Sequence, residues 1–174
     1  ITLLPFLIHA LGTTLADHPK LNASWSEDGI KLFDEVNIGV AVAAPDGLVV
    51  PVIHGPNRLT ITQLNMKLKN LTTKAKKGLL DLSDVQNGTF TLNNTGSLGF
   101  VLSKPIINPP QVAILTTEKV QKKPVVINDE ITIRSIMNVC MSFDHRVIDG
   151  LEASAFLRSL KLAIETLHTN NQSF

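Results

Sequence analysis

The chain has 174 residues, of which 44% are apolar and 18% are charged, so it can bury one sizeable core and is not a disordered chain. The net charge of +1 at pH 7 argues against a nucleic-acid partner bound by bulk charge, and no apolar run reaches the length of a membrane span. The single cysteine, Cys140, excludes a disulfide within the chain and predicts a reducing compartment.

The first part of the chain predicts a buried helix followed by two strands. Residues 3–16 are mostly apolar and read as a helix. Residues 36–43 predict a strand, and residues 48–53 predict a returning strand after the turn chemistry of Pro45-Asp46-Gly47. Pro51 cannot donate to a strand ladder, which indicates that the second strand lies at a sheet edge or a bulge.

The clearest single element is an amphipathic helix in the middle of the chain. Thr60 and Gln63 stand in the register of a capping box, and Gly78 suits the C-terminal stop. One helical face carries five apolar residues at helical spacing, namely Ile61, Leu64, Leu68, Leu71 and Ala75.

The second half of the chain reads as strands followed by a final helix. Strand-like segments occur at 89–92, 111–115, 125–127, 131–133 and 135–143, the third and fourth forming a hairpin. A polar, glycine-punctuated turn occupies residues 93–99, and apolar residues recur at helical spacing from Leu151 onward. The whole pattern predicts an α/β protein whose sheet is covered by helices.

The most informative segment is Asp144-His145-Arg146-Val147-Ile148-Asp149-Gly150, between an apolar strand and the last helix. A histidine at a strand-to-helix turn can be held rigidly, and a neutral imidazole is the usual side chain that removes a proton near pH 7. On spacing alone the pattern also fits an ordinary surface turn. No phosphate-binding loop, dinucleotide fingerprint, paired metal-ligand spacing or serine nucleophile elbow is present, and Cys140 reads as a buried small residue.

Residues 141–150 resemble the Asp-His-Arg-x-x-Asp-Gly signature of dihydrolipoamide acyltransferases, the E2 cores of 2-oxo acid dehydrogenase complexes. The Asp-His-Arg form differs from the His-His usual in chloramphenicol acetyltransferases. Further segments resemble the family in the same order, so that the resemblance covers nearly the whole chain: Leu4-Pro5-Phe6, 19–23, 37–42, 47–53, Gly88-Thr89-Phe90-Thr91-Leu92 and 105–110.

The resemblance implies a two-layer α/β sandwich with a mixed sheet, the CoA-dependent acyltransferase fold of the chloramphenicol acetyltransferase type. Residues 1–174 would be the catalytic, inner-core domain without its N-terminal helix and strand. The lipoyl and peripheral-subunit-binding domains of the family are absent from this sequence.

The resemblance also implies a reaction and the residues that carry it. The family moves an acyl group between dihydrolipoamide and coenzyme A, and His145 would be the general base that takes the thiol proton of CoA. Asp149 would organise the loop through a salt bridge to an arginine. Asn93 stands where the family has a Ser or Thr that donates to the oxyanion. The hypothesis is that the Asn93 amide donates in place of that hydroxyl, with Thr95 or Ser97 as less favoured substitutes. In the other interpretation Asn93 only shapes a turn. No residue is assigned to CoA binding.

The family's assembly implies homotrimers with active sites between subunits, His145 coming from one chain and the Asn93 turn from its neighbour. Trimers would associate into a 24-mer or a 60-mer that works with lipoyl domains and the E1 and E3 components, without nucleic acid or membrane. The expected location is the cytoplasm, or the mitochondrial matrix in a eukaryote. The acyl group stays open between branched-chain, which is favoured, acetyl and succinyl. Two alternatives remain: a non-catalytic scaffold or inactive fragment, and another CoA-dependent acyltransferase of the same fold.

Overall fold

The computed structural model describes residues 2–45 and 47–167. Within those ranges its helices are α1 Leu3–Ala16, α2 Ile61–Lys76, α3 Leu82–Val85 and α4 Gly150–Thr166. Its strands are β1 Ala23–Ser26, β2 Gly29–Leu32, β3 Asn37–Val40, β4 Val42–Ala44, β5 Gly47–Val49, β6 Val52–His54, β7 Phe90–Asn94, β8 Ala113–Thr117, β9 Gln121–Ile127, β10 Glu130–Ile136 and β11 Val139–Phe143. None of the helices described is both long enough and apolar enough to cross a membrane.

The core is a five-stranded sheet in the order β11-β8-β7-β3-β6. The three central strands run parallel, and the two outer strands pair antiparallel with them. Helix α1 contacts both α2 and α4, so these helices form a layer that packs on the sheet. Phe90 of β7 and Phe156 of α4 are fully buried in the shared core, with ring centroids 6.2 Å apart. The predicted α/β sandwich with a mixed sheet is confirmed.

Both long helices of the first half form as predicted. Helix α1 has the predicted bounds. Helix α2 begins at a capping box in which the Gln63 N–H donates to Thr60 Oγ1 over 3.2 Å and Gln63 Oε1 accepts from the Thr60 N–H over 2.9 Å. It ends where Gly78 adopts a φ of +66°, and all five apolar residues predicted for its core face are buried. These signals are local, which is why the sequence pattern predicts them well.

The single strand predicted at 36–43 is wrong, because two strands occupy that segment. Strand β3 belongs to the main sheet, between β6 and β7, whereas β4 leaves the sheet and pairs with β5. The change of partner falls at Ala41, whose N–H donates to the Leu92 carbonyl over 3.0 Å. Asp46, in the turn predicted after β4, lies outside the described residues.

The returning strand predicted at 48–53 is likewise split into β5 and β6, with Val50 and Pro51 between them. Pro51 has no N–H to continue a ladder, but its carbonyl accepts from the Val40 N–H over 2.8 Å. Strand β6, directly after Pro51, is an edge strand of the main sheet. The predicted edge position is therefore confirmed.

The strands of the second half differ from the prediction mainly in their ends. Strand β7 continues through Asn94, so Asn93 lies in a strand and not in a turn. The strand predicted at 111–115 is β8, which starts two residues later, and β9 and β10 form a longer hairpin than predicted. The single strand predicted at 135–143 is wrong: the chain breaks after β10, where the Asn138 carbonyl accepts from the Glu118 N–H and starts β11 beside β8.

Candidate active site

His145 lies on a short loop between the end of β11 and the start of α4. The loop is held by backbone hydrogen bonds: the Asp144 N–H donates to the Val112 carbonyl over 2.8 Å, and the Asp144 carbonyl accepts from Val147 and Ile148 over 3.0 Å each. Val147 and Ile148 are buried and anchor the loop in the core. The imidazole of His145 is solvent-exposed beside the Phe143 ring, with centroids 5.6 Å apart. The loop thus holds an imidazole that is accessible from solvent, as a general base must be.

Arg146 belongs to the same loop and is bound by the side chain of Asp144. Its Nε donates to Asp144 Oδ1 over 2.9 Å, and its backbone N–H donates to the same oxygen over 3.0 Å. The guanidinium also lies over the Trp25 ring, 3.5 Å from the centroid, which is a cation–π contact. Hydrogen bonds from Arg146 hold the pKa of Asp144 below its usual value despite partial burial. The sequence pattern did not identify this partner of Arg146, and it did not indicate Trp25.

Asp149 acts on the helix that follows the loop. Its Oδ1 accepts from the Glu152 N–H over 2.8 Å, which makes it the N-cap of α4. Asp149 forms no salt bridge within the described residues, and the arginine of the motif, Arg146, pairs with Asp144. Asp149 therefore caps α4 within one chain, and its ion pair with an arginine stays a prediction.

The second predicted part of the site begins with Asn93 at the C-terminal end of β7. Residues 93–98, which are the last two residues of β7 and the 3-10 turn Thr95–Leu98, are called the donor turn. Thr95 Oγ1 donates to Glu118 Oε2 over 2.6 Å, and Ser97 Oγ donates to the Asn94 carbonyl over 3.0 Å. Both substitute hydroxyls are thus committed to protein acceptors. The half-buried side chain of Asn93 makes no side-chain hydrogen bond within the described part of the chain, so its amide is the donor that is free to meet an oxyanion.

Glu118 is a buried carboxylate that the sequence pattern does not indicate. It follows β8 directly and is 2% exposed. Burial alone would raise its pKa, but hydrogen bonds from Ser103, Thr95, Thr116 and Cys140 together hold the pKa below its usual value. Thr116 Oγ1 donates to Oε1 over 3.0 Å, and Ser103 Oγ donates to the same oxygen. The sequence signal that could have indicated Glu118 is a glutamate directly after a buried apolar strand.

His145 and the donor turn do not meet within one chain. Phe143, the last residue of β11, pairs with Ala113 at the start of β8, and His145 lies beyond it. Asn93 pairs with Thr116 near the other end of β8. Three residues of a strand span about 10 Å, so the base and the donor lie at opposite ends of the sheet. A site that uses both residues needs a second copy of the chain.

No metal-binding cluster of three or more His, Cys, Asp or Glu side chains occurs in residues 2–45 and 47–167. Cys140, predicted to be buried, is half-buried in β11 beside Glu118. The groups that His145 and Asn93 bring to the site can support proton transfer at the imidazole and hydrogen bonding of an oxyanion by the amide.

Solved structures establish the fold. Chloramphenicol acetyltransferase, 15% identical, superposes with a TM-score of 0.62 over 94% of this chain and 78% of that one. The match is far closer to a probable dihydrolipoamide acetyltransferase from Listeria monocytogenes, with a TM-score of 0.95 at 41% identity over 99% of this chain and 74% of that one. The cubic core of a pyruvate dehydrogenase multienzyme complex gives a TM-score of 0.93 at 33% identity over 97% and 70%. The fold is thus that of the chloramphenicol acetyltransferase class, as predicted.

Residues 1–170 match the model of the 2-oxoacid dehydrogenases acyltransferase (catalytic domain) family, and the chain belongs to this family. It is 42% identical to the lipoamide acyltransferase component of the branched-chain alpha-keto acid dehydrogenase complex of Bacillus subtilis, over 96% of this chain and 40% of that protein. It is also 42% identical to the dihydrolipoyllysine-residue acetyltransferase component of the pyruvate dehydrogenase complex of Rickettsia conorii, over 92% and 39%. The chain thus spans about two fifths of the curated relatives it matches.

Proposed function

We propose that this chain is an acyltransferase core that moves an acyl group between dihydrolipoamide and coenzyme A. The observation that carries the proposal is His145, exposed on a loop that backbone hydrogen bonds and the Asp144–Arg146 pair fix between β11 and α4. That loop carries the whole Asp-His-Arg-x-x-Asp-Gly signature, in a chain that belongs to the acyltransferase family.

In the proposed mechanism His145 takes the proton of the CoA thiol, and the resulting thiolate attacks the carbonyl carbon of the acyl-dihydrolipoamide thioester. The tetrahedral intermediate carries its negative charge on the former carbonyl oxygen, and the Asn93 amide donates to that oxygen. Collapse breaks the bond to the lipoyl sulfur, which takes the proton back from the imidazolium. The products are acyl-CoA and dihydrolipoamide, and the reverse reaction uses the same groups.

The active site would form between two copies of the chain, one supplying His145 and the other supplying Asn93. The placement of the two residues at opposite ends of the sheet supports this arrangement. So does the close structural match to the cubic core of a pyruvate dehydrogenase complex. The proposed assembly is a homotrimer that builds a 24-mer or a 60-mer, receives lipoyl domains and works with E1 and E3 components. Its proposed location is the cytoplasm, or the matrix in a eukaryote.

The proposed acyl group is branched-chain. The Asn93-Asn94-Thr95-Gly96-Ser97 segment supports it, because it resembles some bacterial branched-chain enzymes. Sequence identity does not separate the acyl groups, since the branched-chain and acetyl relatives are both 42% identical to this chain. A difference of one methylene in a pocket discriminates by only about 1 to 3 kcal/mol, so the preference needs a direct measurement.

The test is acyl transfer to dihydrolipoamide by the assembled chain, with isobutyryl-CoA, acetyl-CoA and succinyl-CoA in parallel. Turnover fastest with isobutyryl-CoA and abolished by His145→Ala is the expected result, while His54→Ala, an exposed histidine outside the site, keeps wild-type rates. Asn93→Ala should lower kcat by about 100- to 1000-fold with the fold intact. Folded, assembled chain without turnover for any donor would instead support the scaffold alternative.

A further inference from the structure

Glu118 connects the donor turn to two other segments through its carboxylate. Oε2 accepts from Thr95 Oγ1 over 2.6 Å, and Oε1 accepts from Thr116 on β8 over 3.0 Å and from Ser103 in the loop that precedes β8. Glu118 itself is 2% exposed, so these hydroxyls replace the water that an ionised carboxylate would otherwise bind.

The donor turn also packs directly against the backbone of Glu118 and leaves no space for a side chain at Gly96. A Cβ built on Gly96 would lie 2.5 Å from both the carbonyl carbon and the carbonyl oxygen of Glu118, and 2.8 Å from the Lys119 nitrogen. Any larger residue at position 96 would push the turn away from β8. The turn is therefore fixed at two adjacent points, by the Thr95 hydroxyl and by the contact at Gly96.

We infer that Glu118 is a positioning residue that fixes the donor turn, so that the Asn93 amide points at the oxyanion before the reaction begins. This inference rests on the proposed acyl transfer. Thr95 is the first residue after β7 and lies two residues from Asn93, so an anchor on Thr95 limits the motion of the strand end. An oxyanion donor is effective only when it is already aimed, because reorganisation during the reaction costs rate.

The test compares Glu118→Gln and Thr95→Val with a matched control, Thr91→Val. Thr91 lies on the same strand β7, also two residues from Asn93, and its hydroxyl makes a buried 2.6 Å hydrogen bond to Gln111 Oε1, which is outside residues 93–98. Thr95→Val and Thr91→Val each remove one hydroxyl hydrogen bond, and Glu118→Gln replaces one of the two accepting oxygens by an NH2 group. Only the changes at Glu118 and Thr95 release the turn. Thr95→Ser keeps the hydroxyl and serves as the rescue variant. Kinetic constants and hydrogen exchange of the amides of residues 93–98 are measured on the assembled core.

Glu118→Gln and Thr95→Val should lower kcat by about 10- to 100-fold, the loss expected for a hydrogen bond to a charged group. The KM for CoA should not change, and exchange at residues 93–98 should accelerate about 10-fold or more. Thr91→Val and Thr95→Ser should keep the wild-type kcat and the wild-type exchange.

Unchanged kcat in Thr95→Val, with wild-type turnover intact, would overturn the positioning role and leave the proposed function standing. If Glu118→Gln did not fold, Thr95→Val would carry the test by itself. If the wild type showed no turnover, the proposed function would fail, and the exchange data alone would decide whether Glu118 orders the donor turn. If hydrogen exchange at residues 93–98 were the same in Glu118→Gln and Thr95→Val as in the wild type, Glu118 would not order the donor turn.

Discussion

Replacing Asp149 separates the two roles that its carboxylate can play. As the N-cap of α4, the residue accepts one backbone hydrogen bond from Glu152 over 2.8 Å. Asp149→Ala removes the cap, at a cost of about 0.5 to 2 kcal/mol, and removes a negative charge at the helix N-terminus, at a further cost of about 0.3 to 1 kcal/mol. Asp149→Asn keeps a capping oxygen and loses only the second contribution.

The expected order of stability is therefore wild type, then Asp149→Asn, then Asp149→Ala. For a chain of this size 1 kcal/mol shifts the melting temperature by roughly 2 to 4 °C, so the Asn and Ala variants are separable by thermal unfolding. The protomer concentration is held fixed, because assembly contributes to apparent stability. Thr60→Ala, which removes the N-cap of α2 outside the site, is the control that should lower stability without lowering kcat.

Equal loss of stability in Asp149→Asn and Asp149→Ala would refute this reasoning. That result would mean that the charge of the carboxylate matters more than its capping oxygen, as in an ion pair with an arginine supplied by another part of the assembly.

Three further changes test other features of the structure. Leu64→Ala, at a fully buried position of α2, should cost about 2 to 5 kcal/mol in urea unfolding. Gly78→Ala, at a φ of +66°, should cost about 1 to 2 kcal/mol in the same assay. Folding lowers the pKa of Glu118. The ionised carboxylate therefore adds to the free energy of unfolding at pH values above its unfolded pKa of about 4.3. This stabilisation is lost as the pH falls through the folded pKa. Wild-type stability should therefore fall more steeply on acidification than that of Glu118→Gln.

Local signals explain what the sequence pattern predicts well. Helix α2 is specified by a capping box, a five-residue apolar face and a glycine stop, all of which depend on neighbours in the chain. The strand break at Ala41 has no such local signal, because it follows from a hydrogen bond to Leu92, far along the sequence. Periodicity predicts that a segment is extended, and it does not predict which strand it pairs with.

In the candidate site, too, the sequence predicts local features better than contacts between distant segments. His145 and Asn93 were identified through a resemblance that spans nearly the whole chain, since the spacing around His145 alone also fits a surface turn. The partners that hold the site were missed because they are distant in sequence. Trp25 stacks on Arg146 from the β1–β2 hairpin, and Glu118 at the end of β8 accepts from Thr95 at the end of the neighbouring strand β7. Capping at Asp149 depends on the backbone geometry at the start of α4, which the motif alone does not specify.

The most direct test of the central claim is complementation between two defective chains. His145→Ala and Asn93→Ala are co-expressed in equal amounts, and acyl transfer by the mixed assemblies is compared with each variant alone. If each active site combines His145 of one chain with Asn93 of another, roughly a quarter of the sites in a random mixture pair two intact residues, and about that share of wild-type activity returns. Mixed assemblies no more active than Asn93→Ala alone would contradict the shared site.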